Sequence, residues 1–102
     1  MKIAFIGGGN MGEAMLSAVL SKGLSKPASI SVSDISDTRR QYLEQKYGVK
    51  ATSSNLEATG RGEVVVLAIK PQNLGGVMIE LKGQLKPTQL VLGEVEFHSE
   101  RK

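Results

Sequence analysis

The sequence predicts an α/β fold: a Rossmann-type open parallel sheet with helices on both faces. Three observations carry this. Short apolar runs alternate with helix-period segments as far as about residue 92. The connections between them are short, as in compact units where each helix returns the chain to the next parallel strand. The run Val64-Val65-Val66-Leu67-Ala68-Ile69 is continuously apolar rather than alternating. A strand with both faces covered needs that pattern.

The elements follow in order. Lys2–Ile6 reads as a buried strand. Asn10 to Lys22 reads as a helix, with Met11, Ala14, Met15, Ala18 and Val19 at helical spacing on its apolar face. Gly23 stops it at the usual glycine position, and Lys26-Pro27 marks a loop. Ile30–Ser33 is a second strand. Ser36 or Asp37 caps a helix through about Lys46, and Gly48 ends it. Val49–Thr52 is a third strand. Ser54 and Glu57 have the spacing of a capping box and open a short helix that ends near Gly60. Val64–Ile69 is the fourth strand. Pro71 blocks its ladder and starts a new element. Gln72 to about Leu81 is helical in pattern, weakened by Gly75-Gly76. Gln89–Leu92 is a fifth strand, and the polar stretch from residue 93 to residue 102 reads as a tail.

The chemistry concentrates where the first strand ends. Ile6-Gly7-Gly8-Gly9-Asn10-Met11-Gly12 contains Gly7, Gly9 and Gly12 spaced as G-x-G-x-x-G, between a strand and a helix. That context is what a dinucleotide pyrophosphate needs. The turn brings bare backbone to the ligand, and the helix aims free N–H groups and its positive dipole end at the anion. Gly7 allows the tight turn, Gly9 the approach of the phosphate, and Gly12 close packing of the helix on the strand. Asp34 lies at the end of the second strand, 22 residues after Gly12, against a customary offset of about 20. A carboxylate there accepts from ribose hydroxyls and repels a 2′-phosphate, which favours NAD. Ser36, Thr38, Arg39 and Arg40 follow, and hydroxyls and guanidinium groups suit a 2′-phosphate, which favours NADP. The cofactor reading is therefore NADP or NAD. Ala68, Ile69, Lys70 and Pro71 stand at the carboxyl end of the fourth strand, the edge where open α/β sheets bind ligands. Asn55 follows the third strand's carboxyl end.

Other function classes are excluded or disfavoured. The chain has 102 residues, a single domain's worth, and no cysteine, so disulfides and thiolate metal sites are excluded. No metal-ligating cluster and no Ser-His-Asp constellation is visible. A net charge of +3 with only two Tyr and two Phe does not make the concentrated basic, aromatic face of a nucleic-acid binder. No stretch approaches the roughly 18 apolar residues of a membrane span. Only Lys2 precedes Ile3–Ile6 before glycines break the run, so no signal peptide is read and a cytoplasmic protein is the default. His98, the lone histidine, is assigned no role.

Gly7-Gly8-Gly9-Asn10-Met11-Gly12, then Ser54-Asn55, then Ala68-Ile69-Lys70-Pro71-Gln72 together resemble the pyrroline-5-carboxylate reductases, over residues 1 to about 92. The resemblance implies an enzyme that reduces the C=N bond of 1-pyrroline-5-carboxylate with NAD(P)H to give L-proline, in proline biosynthesis. It implies that Gly7–Met11 hold the pyrophosphate. Asp34 and Ser36 would meet the adenosine ribose or its phosphate, Asn55 the adenosine side, and Ala68–Pro71 the nicotinamide side. Many family members have a neutral residue where this chain has Asp34. The family also continues into a helical C-terminal domain that forms the dimer and holds the substrate. By this resemblance residues 1–92 are the dinucleotide-binding domain, with the catalytic and dimerisation domain absent. The whole enzyme would then be a homo-oligomer and this chain a monomer, without catalytic residues of its own and inactive alone. An exposed apolar patch is expected where the absent domain docks. Two alternatives stand beside this. One is the cofactor domain of a 6-phosphogluconate- or prephenate-type dehydrogenase, against which Lys70-Pro71-Gln72 argues. The other is a non-catalytic, reductase-like nucleotide-binding protein.

Overall fold

The computed structural model describes residues 1–93, and the expected tail from residue 94 onward, with His98, lies outside the described residues. Five strands form one parallel sheet: β1 (Ile3–Ile6), β2 (Ile30–Ser33), β3 (Lys50–Thr52), β4 (Val64–Leu67) and β5 (Leu90–Gly93), in the order β3-β2-β1-β4-β5. Four α-helices join them: α1 (Asn10–Ser21), α2 (Asp37–Tyr47), α3 (Asn55–Gly60) and α4 (Pro71–Leu81). A turn of 3₁₀-helix, Pro27–Ser29, leads into β2. The predicted fold class is the one observed.

Two apolar layers flank the sheet. On one face Ile3, Phe5, Ile30, Val32 and Val66 pack against Leu16 of α1 and Leu43 of α2. On the other, Ala4, Ile6, Val65 and Leu67 pack against Ala58 of α3 and Leu81 of α4. All four residues of β1 and of β2 are buried, as central parallel strands require. β5 is covered on one side only. Val91 joins the layer of α3 and α4. Leu90 and Leu92, in register with Val64 and Val66, point to the other side and remain 54% and 44% exposed.

The stop signals act as predicted. Gly23 (φ 69°) donates to the Leu20 carbonyl at 3.1 Å while Leu24 N donates to Val19 O at 3.0 Å, the paired bonds of a Schellman ending. Gly48 (φ 75°) ends α2 and its N–H bonds to Glu44 O at 2.9 Å. Pro71 is the first residue of α4, where its missing N–H costs nothing. Ser54 caps α3 by accepting from Glu57 N at 3.1 Å. The reciprocal half of the box is rerouted. Glu57 accepts from the Thr52 hydroxyl at 2.5 Å, and Thr52 Oγ1 accepts from Ser54 N at 3.1 Å.

Three readings are corrected. The buried face of α1 is Gly12 and Leu16, with Val19 and Leu20 partly buried, whereas Met11, Ala14, Met15 and Ala18 are exposed. The helix is apolar on more than one side, and close contact at Gly12 decides which side meets the sheet. β4 ends at Leu67, before Ala68-Ile69, because the chain leaves the ladder to enter α4. Gly93 belongs to β5 rather than to a tail.

One polar cluster ties α1 to α2. The Glu13 carboxylate accepts from Tyr47 at 2.7 Å, Tyr42 at 2.8 Å, Arg39 at 3.0 Å and Lys46 at 3.4 Å. The Tyr47 and Tyr42 hydroxyls, then Arg39, hold its pKa down at about 2 from an ordinary 4.5. Hydrogen bonds that Lys46 donates to Tyr42 and to Glu13 raise its pKa, and the Glu13 carboxylate raises that of Tyr47. A depressed carboxyl pKa stabilises the fold above the unfolded value, and the effect fades as pH falls from about 4.5 toward 2. Raised Lys and Tyr values act below their unfolded pKa and fade as pH rises past about 10. Glu13→Gln is therefore expected to be less stable than the parent at pH 7 in urea melts. The gap should close progressively between pH 4.5 and 2. A gap unchanged over that window would contradict the assignment.

Candidate functional site

The site is built at the point where the sheet order reverses. β1 is central, its chain successor β2 lies to one side and β4 to the other. The loops leaving β1 and β4 therefore diverge and open a crevice at the carboxyl edge, where open α/β sheets take ligands. The wall of that crevice is tight. Gly7 has φ 109°, and a Cβ there would lie 2.3 Å from the Ala68 carbonyl oxygen. A Cβ on Gly12 would lie 2.2 Å from the Gly7 carbonyl oxygen. No side chain fits at either position without moving backbone. Gly9 is different: a Cβ there meets nothing within 4 Å. Internal packing does not require a glycine at this position.

Helix α1 begins without a side-chain cap at Gly9. Its first internal bond runs from Glu13 N to Gly9 O at 2.8 Å. The amides of Asn10, Met11 and Gly12 precede that bond and point out of the helix end. They supply the donors and the positive dipole end that an anion needs. Asn10 is exposed and Met11 is 36% exposed. Ile6 is fully buried, and its carbonyl accepts from Ala68 N at 2.9 Å, so it supports the loop from beneath.

The predicted residues of β2, β3 and β4 converge on this edge. The Asp34 carboxylate accepts from Gly8 N at 2.9 Å and from Ser36 N at 2.8 Å. Arg39 Nε donates to Gly8 O at 2.8 Å. The glycine loop is thus held through both groups of Gly8, a device that sequence spacing does not reveal. Ser36 caps α2 by accepting from Arg39 N at 3.2 Å. Asn55 accepts from the Ser33 hydroxyl at 2.6 Å and donates to Glu80 at 3.0 Å, which ties β2 to α4 across the crevice floor. Ala68 is 7% exposed, Ile69 is half-buried, and Lys70 and Pro71 are exposed where α4 begins. Sequence reasoning missed Glu13, Arg39 as a loop strut, and Glu80. Their partners lie 25 to 34 residues away in the chain, beyond any local pattern.

A cleft of about 470 Å³ lies elsewhere, at the amino edge of the sheet, lined by Lys2, Lys50, Arg61, Glu63 and Lys86 among others. It contains none of the glycine loop, and the carboxyl edge is where the donors and the bare backbone lie.

With this geometry in view, the comparisons are specific. The family described as NADP oxidoreductase, coenzyme F420-dependent, matches residues 2–92. The chain belongs to that family. A pyrroline-5-carboxylate reductase of Vibrio alginolyticus is 44% identical over 77 residues, covering 74% of this chain and 28% of the relative. That of Methanosarcina acetivorans is 32% identical over 91 residues, covering 89% of this chain and 34% of the relative. The structure of a pyrroline-5-carboxylate reductase from Coxiella burnetii superposes with TM-score 0.83 at 35% identity, over 90% of this chain and 34% of that one. The chain spans about a third of the length of the relatives it matches. Among the described residues no helix is long and apolar enough to cross a membrane, and no group of His, Cys, Asp and Glu gathers as metal ligands.

The glycine contacts generate a test of the fold's requirements. Gly12→Ala is expected to cost about 1–3 kcal/mol through overpacking, a fall in melting temperature of several degrees or more. Gly9→Ala is expected to stay within about 0.5 kcal/mol of the parent. Parallel thermal melts by circular dichroism check both, and equal losses would remove the distinction between the two glycines.

Proposed function

We propose that this chain is the NAD(P)H-binding domain of a pyrroline-5-carboxylate reductase. The observation that carries the proposal is Gly9, a bare backbone position in the turn between β1 and α1. It stands at the mouth of a helix whose first amides point outward. The pyrophosphate lies against Gly7, Gly8, Gly9, Asn10 and Met11. Asp34 and Ser36 face the adenosine ribose, Asn55 lines the adenosine side, and Ala68, Ile69, Lys70 and Pro71 line the nicotinamide side. Similarity to pyrroline-5-carboxylate reductases over most of this chain supports the substrate assignment.

When bound, a reduced nicotinamide supplies the hydride chemistry. The chain's own residues bind and orient. The outward amides of α1 hold the diphosphate charge without reorganising, because the loop is already fixed by Asp34 and Arg39. Ala68 and Ile69 present apolar surface at the carboxyl end of β4. Polarising and holding pyrroline-5-carboxylate falls to the remaining two thirds of a reductase chain. That part also makes the subunit contacts of a homo-oligomer and covers Leu90 and Leu92 beside β5.

Three outcomes are expected. Titration with NADH and NADPH, followed by nicotinamide fluorescence or calorimetry, should give weak saturable binding. Gly9→Ala should weaken that binding at least tenfold with its melting temperature unchanged. The chain alone should not oxidise NAD(P)H in the presence of pyrroline-5-carboxylate above a blank without protein. Absence of dinucleotide binding at millimolar concentration would defeat the reading of the loop, and turnover by the fragment would defeat the division of labour.

A further inference from the structure

We propose that this chain selects dinucleotides without a 2′-phosphate, with Asp34 as the specificity-determining residue and Arg39 and Arg40 acting as struts rather than phosphate ligands. The inference rests on the dinucleotide-binding reading above. In the sequence, Asp34 and the Arg39-Arg40 pair point in opposite directions. Their hydrogen bonds separate them.

Asp34 is anchored but not exhausted. One carboxylate oxygen accepts from Gly8 N at 2.9 Å and the other from Ser36 N at 2.8 Å. An ionised carboxylate has about four acceptor sites and no donor. Each oxygen thus keeps a lone pair for a hydroxyl, and the group sits partly exposed beside the glycine loop. A ribose with free 2′ and 3′ hydroxyls brings two donors to it. A 2′-phosphate replaces one donor with acceptor oxygens and about 1.5 to 2 negative charges. The carboxylate cannot swing away without leaving the amides of Gly8 and Ser36 unpaired.

Both arginines are committed. Arg39 donates through Nε to Gly8 O at 2.8 Å and through Nη2 to Glu13 at 3.0 Å, and its guanidinium lies 4.9 Å from the Tyr42 ring centre. Arg40 donates through Nη1 to the Asp34 carbonyl at 2.8 Å and through Nη2 to Asp37 at 3.1 Å. Each guanidinium has a carboxylate partner, Glu13 for Arg39 and Asp37 for Arg40. Freeing Arg39 for a phosphate would release the glycine loop and uncover Glu13. Among the described residues, a 2′-phosphate at this edge would meet the Asp34 carboxylate beside two guanidinium groups already paired with carboxylates.

Calorimetric titration of the purified chain with NADH, NADPH, ADP-ribose and 2′-phospho-ADP-ribose tests this. The parent should bind NADH and ADP-ribose at least tenfold tighter than their 2′-phosphorylated counterparts. Asp34→Asn keeps an oxygen for Gly8 N and removes the charge. It should cut the preference at least fivefold, with circular dichroism confirming an unchanged fold. Arg39→Met should weaken both ligand series alike. Equal or tighter binding of the phosphorylated ligands by the parent would overturn the inference and leave dinucleotide binding standing. So would a loss in Arg39→Met confined to the phosphorylated ligands. Failure of all four ligands to bind would overturn the inference together with the reading beneath it.

Discussion

The close approach of three backbone segments at the end of β1 governs the rest of this molecule. The Gly7 turn, the first turn of α1 and the Ala68 segment after β4 meet with no room for a Cβ at Gly7 or Gly12. That contact sets how near α1 lies to the sheet, so Leu16 reaches the layer of Phe5 and Val32. It also joins the loops of the two strands between which the sheet order reverses. The crevice is therefore a consequence of how the core closes, not an ornament added to it. Within the loop, Gly9 is the glycine whose missing side chain the core does not use.

A second layer of control is polar. A glycine-rich loop has little side-chain contact of its own and loses much backbone entropy on ordering. Here Gly8 is pinned by its N–H to Asp34 and by its carbonyl to Arg39. Arg39 is itself oriented by Glu13 and Tyr42. β2, α2 and α1 thus share in holding a loop that belongs to none of them. Fixed donors are worth more to an anion than donors that must first be arranged.

Much of the scaffold was legible before any coordinates, for local reasons. Glycines at helix ends, a proline at the first position of α4 and the continuous apolar run of β4 each have a single cheap solution. Gly23, Gly48, Pro71 and Ser54 take the roles their chemistry dictates. The face of α1 was not legible, because Met11, Ala14, Met15 and Ala18 form as regular an apolar stripe as Leu16, Val19 and Leu20. Only the position of Gly12 against β1 chooses between them. At the candidate site, the glycine spacing and Asp34 could be read, but the pairing of Asp34 with Gly8 and of Arg39 with Glu13 could not. Those pairs are 26 residues apart in sequence and exist only once β1 and β2 lie side by side.

The placement of Glu13 shows how fold and site electrostatics depend on each other. A carboxylate in the first turn of α1 favours the helix dipole, yet it also sets a negative charge beside the end where the dipole favours an anion. Two tyrosine hydroxyls, Arg39 and Lys46 draw it toward α2, and the cations offset its charge. The outward amides of Asn10 to Gly12 then keep their positive character while the helix keeps an acidic first turn. The same carboxylate orients Arg39, which fixes the Gly8 carbonyl. Removing Glu13 would therefore have two opposed effects on an anion at the loop, relieving repulsion while loosening the donors. With the charge already compensated, little repulsion remains to relieve, and the loosening dominates. α2 thus holds the loop directly through Arg39, and α1 reinforces that hold through Glu13.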